Sequence, residues 1–251
     1  MKSLSEDDAR FAREHLADGC DLMERMLVGL LDSKGRIAEE IHALRKLGKS
    51  LRGGFALFRL GKSSTKEIQA VGRLLSGPRD AVSRLSTWNK LKWKGDERTV
   101  AAIVGLLDQQ THSAARKPPR ETIAWCVDRV VAARKELQAL PVENLAERLD
   151  AGIKKLGTQV VKRCKRLDHR GEEEFHDARK AIKAYLGALG FLPKVSVTLH
   201  PIMTELPEIL GDENDLATLS GWLDEHGFTA HFAPDLWKTL EHDRSKLREK
   251  A

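Results

Sequence analysis

His42, Arg45, Lys46, Lys49 and Arg52 stand at relative spacings 0, 3, 4, 7 and 10 along one apolar-punctuated segment. Each residue of an α-helix advances about 100°, so the five share an arc of roughly 120° and form one cationic face. All of them donate. Arg offers a planar fork to two phosphate oxygens, Lys a compact mobile charge, and His either a neutral donor or a cation. Leu44, Leu47, Leu51, Phe55 and Phe58 fall on the opposite side, where a core-facing stripe belongs. Like charges at i, i+3 and i+4 cost an isolated helix a few tenths of a kcal/mol per pair. A face built this way, without interleaved Glu, is arranged for an anion to neutralise. From His42 to Arg52 it runs about 15 Å at 1.5 Å per residue, longer than one phosphate needs, so an extended polyanion is the expected ligand.

The pattern apolar-His-x-x-Arg-Lys-x-x-Lys returns at an offset of 134 as Phe175-His176-Asp177-Ala178-Arg179-Lys180-Ala181-Ile182-Lys183. His176, Arg179, Lys180 and Lys183 repeat the face, with Ala178, Ala181, Tyr185 and Leu189 behind it. A second echo sets Leu75-Ser76-Gly77-Pro78-Arg79-Asp80 against Leu210-Gly211-Asp212-Glu213-Asn214-Asp215. Two ordered matches at nearly one offset imply a duplication whose halves, residues 1–140 and 141–251, meet near Pro141. Arg148, Lys155, Lys162, Arg166 and Arg170 make a third basic stripe within about 80° on the helix that opens the second half. Asp80 and Asp215 read as helix caps or as partners that orient Arg or His, not as catalytic acids.

The elements that must carry these faces are helices. Nearly every segment follows the helical period, and β-branched alternation is almost absent. Gly, Pro or cap-type residues interrupt it at Asp32-Ser33, Gly61 to Ser64, Gly77-Pro78, Gly95-Asp96, Pro118-Pro119, Pro141, Gly171, Pro193 and Pro234. The result is about nine helices with short connections, hence antiparallel packing. The expected fold is all-α, with two repeat-related helical bundles packed about a pseudo-twofold axis.

With 251 residues, 41% of them hydrophobic, the chain can bury a sizeable core. Lys and Arg number 43 against 37 Asp and Glu, so the net charge of +6 favours acidic partners only if it is gathered on one surface. Cys20, Cys126 and Cys164 are odd in number and far apart, which argues against a zinc site and a disulfide framework. The N-terminus lacks an apolar leader segment and no stretch is long enough to span a bilayer, so a cytoplasmic protein without a membrane anchor is expected. Gly-rich phosphate loops, nucleophile elbows and HExxH are absent. His169, Glu173 and His176 have a spacing that fits a metal, but Glu172 to Glu174 are better read as complementing a helix N-terminus. The expectation is a binding module with no metal, no cofactor and no catalytic residue.

The paired His-x-x-Arg-Lys-x-x-Lys segments, Arg79-Asp80 and the Leu210 to Asp215 stretch together resemble the CHAD domain, the conserved histidine α-helical domain, over nearly the whole chain. That resemblance implies two four-helix-bundle-like subdomains around a basic central channel that binds inorganic polyphosphate. In some members it implies targeting to polyphosphate granules, and polyphosphate-metabolising enzymes are implied as partners. The carry-over puts His42, Arg45, Lys46, Lys49 and Arg52, with His176, Arg179, Lys180 and Lys183, on the channel wall. Arg79 and the stripe residues Arg148, Lys155, Lys162 and Arg166 are added as further contacts. The sequence departs from the family pattern where Leu186 stands ten residues after His176, and where Asn214 replaces the Arg of Arg-Asp. The first wall is therefore expected to bind more strongly than the second. Nucleic acid is the rival ligand, since its backbone phosphates suit the same donors; scarce aromatics and the lack of helix-turn-helix, RNP or zinc-finger signatures count against it. A scaffold for an acidic protein is the third reading, with Trp88, Trp93, Trp222 and Trp237 as its surface unless they pack in the core.

Overall fold

In the computed structural model, the described residues are 4–33, 35, 37–60, 62–114, 117–169, 171–193 and 202–251, with the backbone alone for 76–79, 113, 114, 202 and 204. They form ten α-helices and no strand. These are α1 (Glu6–Gly29), α2 (Ile37–Leu57), α3 (Ser64–Leu74), α4 (Ser76–Lys90), α5 (Glu97–Ala114), α6 (Arg120–Gln138), α7 (Leu145–Cys164), α8 (Glu172–Leu189), α9 (Ile202–Glu225) and α10 (Pro234–Lys250).

Local chemistry sets most of the boundaries. Ser5 and Asp8 close a capping box on α1, the Ser5 Oγ accepting from the Asp8 N–H (3.1 Å) and the Asp8 carboxylate from the Ser5 N–H (3.0 Å). Asp96 accepts from the Thr99 N–H at 2.8 Å as α5 begins. Glu172, Glu173 and Glu174 fill the first turn of α8, where negative charge meets the positive end of the helix dipole. Gly77-Pro78 does not end a helix. The break comes at Leu75, and Pro78 falls in the first turn of α4, where its missing N–H costs nothing.

Three apolar cores hold the helices. The largest joins α1, α2, α3, α6 and α7 to Ala188 and Leu189 at the end of α8 and to Phe191 and Leu192 just beyond it. A second unites Trp88 of α4 and Ile103 and Leu107 of α5 with α9 and α10. Four of the five tryptophans are part of it: Trp88 and Trp222 are buried, Trp93 stacks on Trp88 with ring centres 3.9 Å apart, and the Trp237 indole donates to the Phe228 carbonyl. A third core packs Val160, Phe175, Ala178, Ile182, Leu206 and Leu210 between α7, α8 and α9. The expected division at 140/141 falls between α6 and α7, and both larger cores draw on residues from either side of it.

Small residues set the approach of the central helices. A Cβ at Gly53 of α2 would collide with the backbone of Ala184 and Ala188 of α8, and one at Gly187 of α8 would lie 2.9 Å from the Ser50 Cα. Gly152 of α7 meets the Leu57 backbone in the same way. Cys20 and Cys126 are buried free thiols, and burial pushes their pKa values up to about 12 and about 11. Among the described residues, no helix is long and apolar enough to cross a membrane.

Candidate functional site

Both cationic faces open beside the α2–α8 crossing. A cavity of about 470 Å³ is lined by His42, Arg45, Lys46 and Lys49 from α2 and by Arg179 and Lys183 from α8. Leu186, Gly187 and, from α9, Pro207 complete it on the far side. A second cavity, of about 500 Å³, shares Lys49, Arg179 and Lys183 with the first. It adds Arg52 from α2, Lys180 from α8, and Gln159, Lys162 and Arg163 from α7. The two make one trough with cations from three helices. Asp177 is the carboxylate on its lining, and Arg163 holds it at 2.7 Å.

The arginines differ in what holds them. Arg45 is 15% exposed; it donates to the Gly72 carbonyl at 3.1 Å and lies 3.5 Å from Asp80. Gly72 is in the last turn of α3, whose carbonyls have no partner within the helix. Arg45 is thus also a strut from α2 to α3 and α4. Asp80 lies inside α4 as its partner and is not a cap. Asp215 likewise lies inside α9, beside Lys246 and Lys250 of α10. Arg52 is half-buried, and its Nε has no hydrogen-bond partner. Burial pushes the Arg52 guanidinium below its ordinary pKa, and neighbouring Arg73 pushes it the same way.

His176 is placed apart from its repeat partner. Its Nδ1 donates to Asn214 Oδ1 at 2.8 Å, in a recess it shares with Glu172, Glu173 and Glu213. It lines neither part of the trough. The third stripe divides too. Lys162 reaches the trough, whereas Arg148 and Lys155 do not, and Arg166 is bound to Glu174 at 3.2 Å. The three angles agree, but Arg148 is about 21 Å and Lys155 about 10 Å before Lys162 along the axis at 1.5 Å per residue. The Arg79 side chain and Arg170 lie outside the described residues.

Residues 16–224 match the family model of the CHAD domain. The chain belongs to the CHAD domain family. Its structure is similar to the crystal structure of the CHAD domain from the plant Ricinus communis, with a TM-score of 0.64 and 19% identity over 97% of this chain and 86% of that one. At that identity the likeness speaks for the fold. No curated protein matches this sequence. In this CHAD domain the matched span contains both repeated motifs, and α10 lies beyond it. From α10, Arg244 and Arg248 donate to Glu213, which is 1% exposed, at 3.0 and 2.6 Å.

Sequence reasoning missed Arg163 and Gln159. Arg163 sits about 20° outside the basic arc of α7, on the side toward its buried leucines. A cation at the edge of an apolar stripe borders the neighbouring helix, and that was the available signal. Among the described residues, no group of three His, Cys, Asp or Glu side chains could hold a metal ion.

Proposed function

We propose that this CHAD domain binds inorganic polyphosphate along the trough between α2, α7 and α8, as a binding module and not as a catalyst. One observation carries the reading. Lys49, Arg179 and Lys183 belong to both cavities, so the cationic lining is continuous over two spaces of about 470 and 500 Å³. A single small anion leaves most of that lining unmatched, whereas a chain of phosphates offers charge at every step. The crossing supports the paired-bundle architecture about a pseudo-twofold axis: Gly53 against Ala184 and Gly187 against Ser50 are reciprocal contacts, since each residue is 134 positions from its counterpart. Association with polyphosphate granules in the cytoplasm, and with polyphosphate-metabolising enzymes, belongs to the same proposal.

Nucleic acid is the second reading, because a basic trough also suits a sugar-phosphate backbone. The tryptophans count against it, since all four named above pack in or against a core and offer no stacking platform at the trough. Competition binding at several salt concentrations separates the two. Long-chain polyphosphate should displace matched-charge single-stranded DNA or RNA at physiological salt, and equal affinity for all three would overturn the selectivity.

A further inference from the structure

The trough has a side recess between α2 and α3. It measures about 160 Å³ and is rimmed by Arg45, Lys49, Arg52 and Arg73, with no carboxylate among its lining residues. Asp80, which faces Arg45, stands outside the lining. Lys49 and Arg45 also line the first trough cavity and Arg52 the second, so the recess opens where the trough can feed it. Its volume is close to the ~150 Å³ that encloses one benzene-sized guest. That suits one tetrahedral phosphate.

The donors are arranged for such a group. Arg52 has a buried Nε without a hydrogen-bond partner, and a buried donor left unmade is costly. Arg52 and Arg73 repel one another across the recess, which an anion between them would reverse. The second half lacks the equivalents. Leu186 stands at the position of Arg52, and at the offset of 135 that relates Leu75 to Leu210, Arg73 corresponds to Glu208.

We infer that the α2–α3 recess is a subsite for a single terminal phosphate, supplied either by the end of a polyphosphate chain held in the trough or by free orthophosphate. This rests on the polyphosphate reading of the trough. A terminal phosphate carries about −1.5 to −2 charges at neutral pH and three free oxygens, whereas an internal one carries a single charge and two. Four cations around one small recess therefore favour an end over a mid-chain phosphate. The recess would hold one end of one chain.

The test compares linear polyphosphate with the same chains capped at both ends as phosphoramidates, and adds orthophosphate alone. The unsubstituted protein should bind linear chains tighter than capped ones by on the order of tenfold, the effect of a charge-assisted contact, and Arg73→Ala should bring that ratio close to one. A ratio of one in the unsubstituted protein, with saturable orthophosphate binding that Arg73→Ala abolishes, assigns the recess to free phosphate. A ratio of one without orthophosphate binding overturns the subsite and leaves the trough standing. Failure of linear and capped chains alike to bind overturns the trough reading itself. Arg73→Lys keeps the charge and loses the fork, so it should recover part of the ratio if the contact is direct.

Discussion

His42 and His176 occupy the same place in two copies of one motif, and their surroundings are opposite in charge. His42 lines a cavity with Arg45, Lys46, Lys49, Arg179 and Lys183, while His176 is hydrogen-bonded to Asn214 in a recess with three glutamates. The difference comes from their neighbours, not from the motif. In the first half Asp80 meets Arg45; in the second, the Asn at 214 takes the histidine, and Glu213 beside it is buried against Arg244 and Arg248 of α10. A duplicated motif thus fixes which faces are cationic, and the helix packed across each face decides which of its side chains reach the shared trough.

The walls are joined at their closest point by backbone, so the largest expected effect lies there. Gly53→Ala drives a methyl into the α8 backbone, an overpacking that costs about 1–3 kcal/mol even after Ala's better helix propensity is counted. Gly187→Ala approaches the Ser50 Cα at 2.9 Å, with its other neighbours at 3.5 Å and beyond, and should cost less. Thermal unfolding measures both, at about 2–4 °C per kcal/mol for a chain of this size. Equal shifts would show that the crossing relaxes symmetrically.

The next contrast is between two trough arginines. Arg179→Ala should weaken polyphosphate binding about tenfold, one charge-assisted contact's worth. Arg45→Ala should weaken binding and also lower the thermal midpoint, since it removes the bond to the Gly72 carbonyl and the pairing with Asp80. Calorimetry for binding and circular dichroism for melting, on the same samples, separate the two effects. An Arg45→Ala protein that melts like the unsubstituted one would remove the strut.

Spacing alone put Lys49, Arg179 and Lys183 on cationic faces, because angle around a helix follows from counting. It also gave the helical breaks at Pro141, Gly171 and Pro234. Counting does not say where along its axis a helix meets its neighbour. Arg148 and Lys155 share the angle of Lys162 but not its place at the trough, and Arg163 reaches it from outside the arc. Nor does a single Gly-Pro reveal which side of it a helix begins, which is how Pro78 comes to start α4 instead of ending α3. Partners distant in sequence, such as Asn214 for His176, are fixed by tertiary packing alone. The α7 case is directly testable. Lys162→Ala should weaken polyphosphate binding by about threefold, a modest share of the salt-dependent phosphate contacts, and Lys155→Ala should not. A loss of equal size for both would place α7 along the ligand for its whole length.

The smallest effect bears on the histidines themselves. His42→Ala removes a donor from the cavity, but five cations remain around it, so a loss of about two- to threefold in polyphosphate affinity is expected, at the low end of a single hydrogen bond. His176→Ala removes the bond to Asn214 at the end of the acid-lined recess, and should leave affinity within error while lowering stability by about 1 kcal/mol. Paired measurement of Kd and melting midpoint reads both outcomes. If His176→Ala costs as much affinity as His42→Ala, the ligand extends past Arg179 to the N-terminal end of α8, and Glu172 and Glu173 must then turn away to admit it. Substituting Glu173→Gln in the His176→Ala background would recover affinity in that case alone.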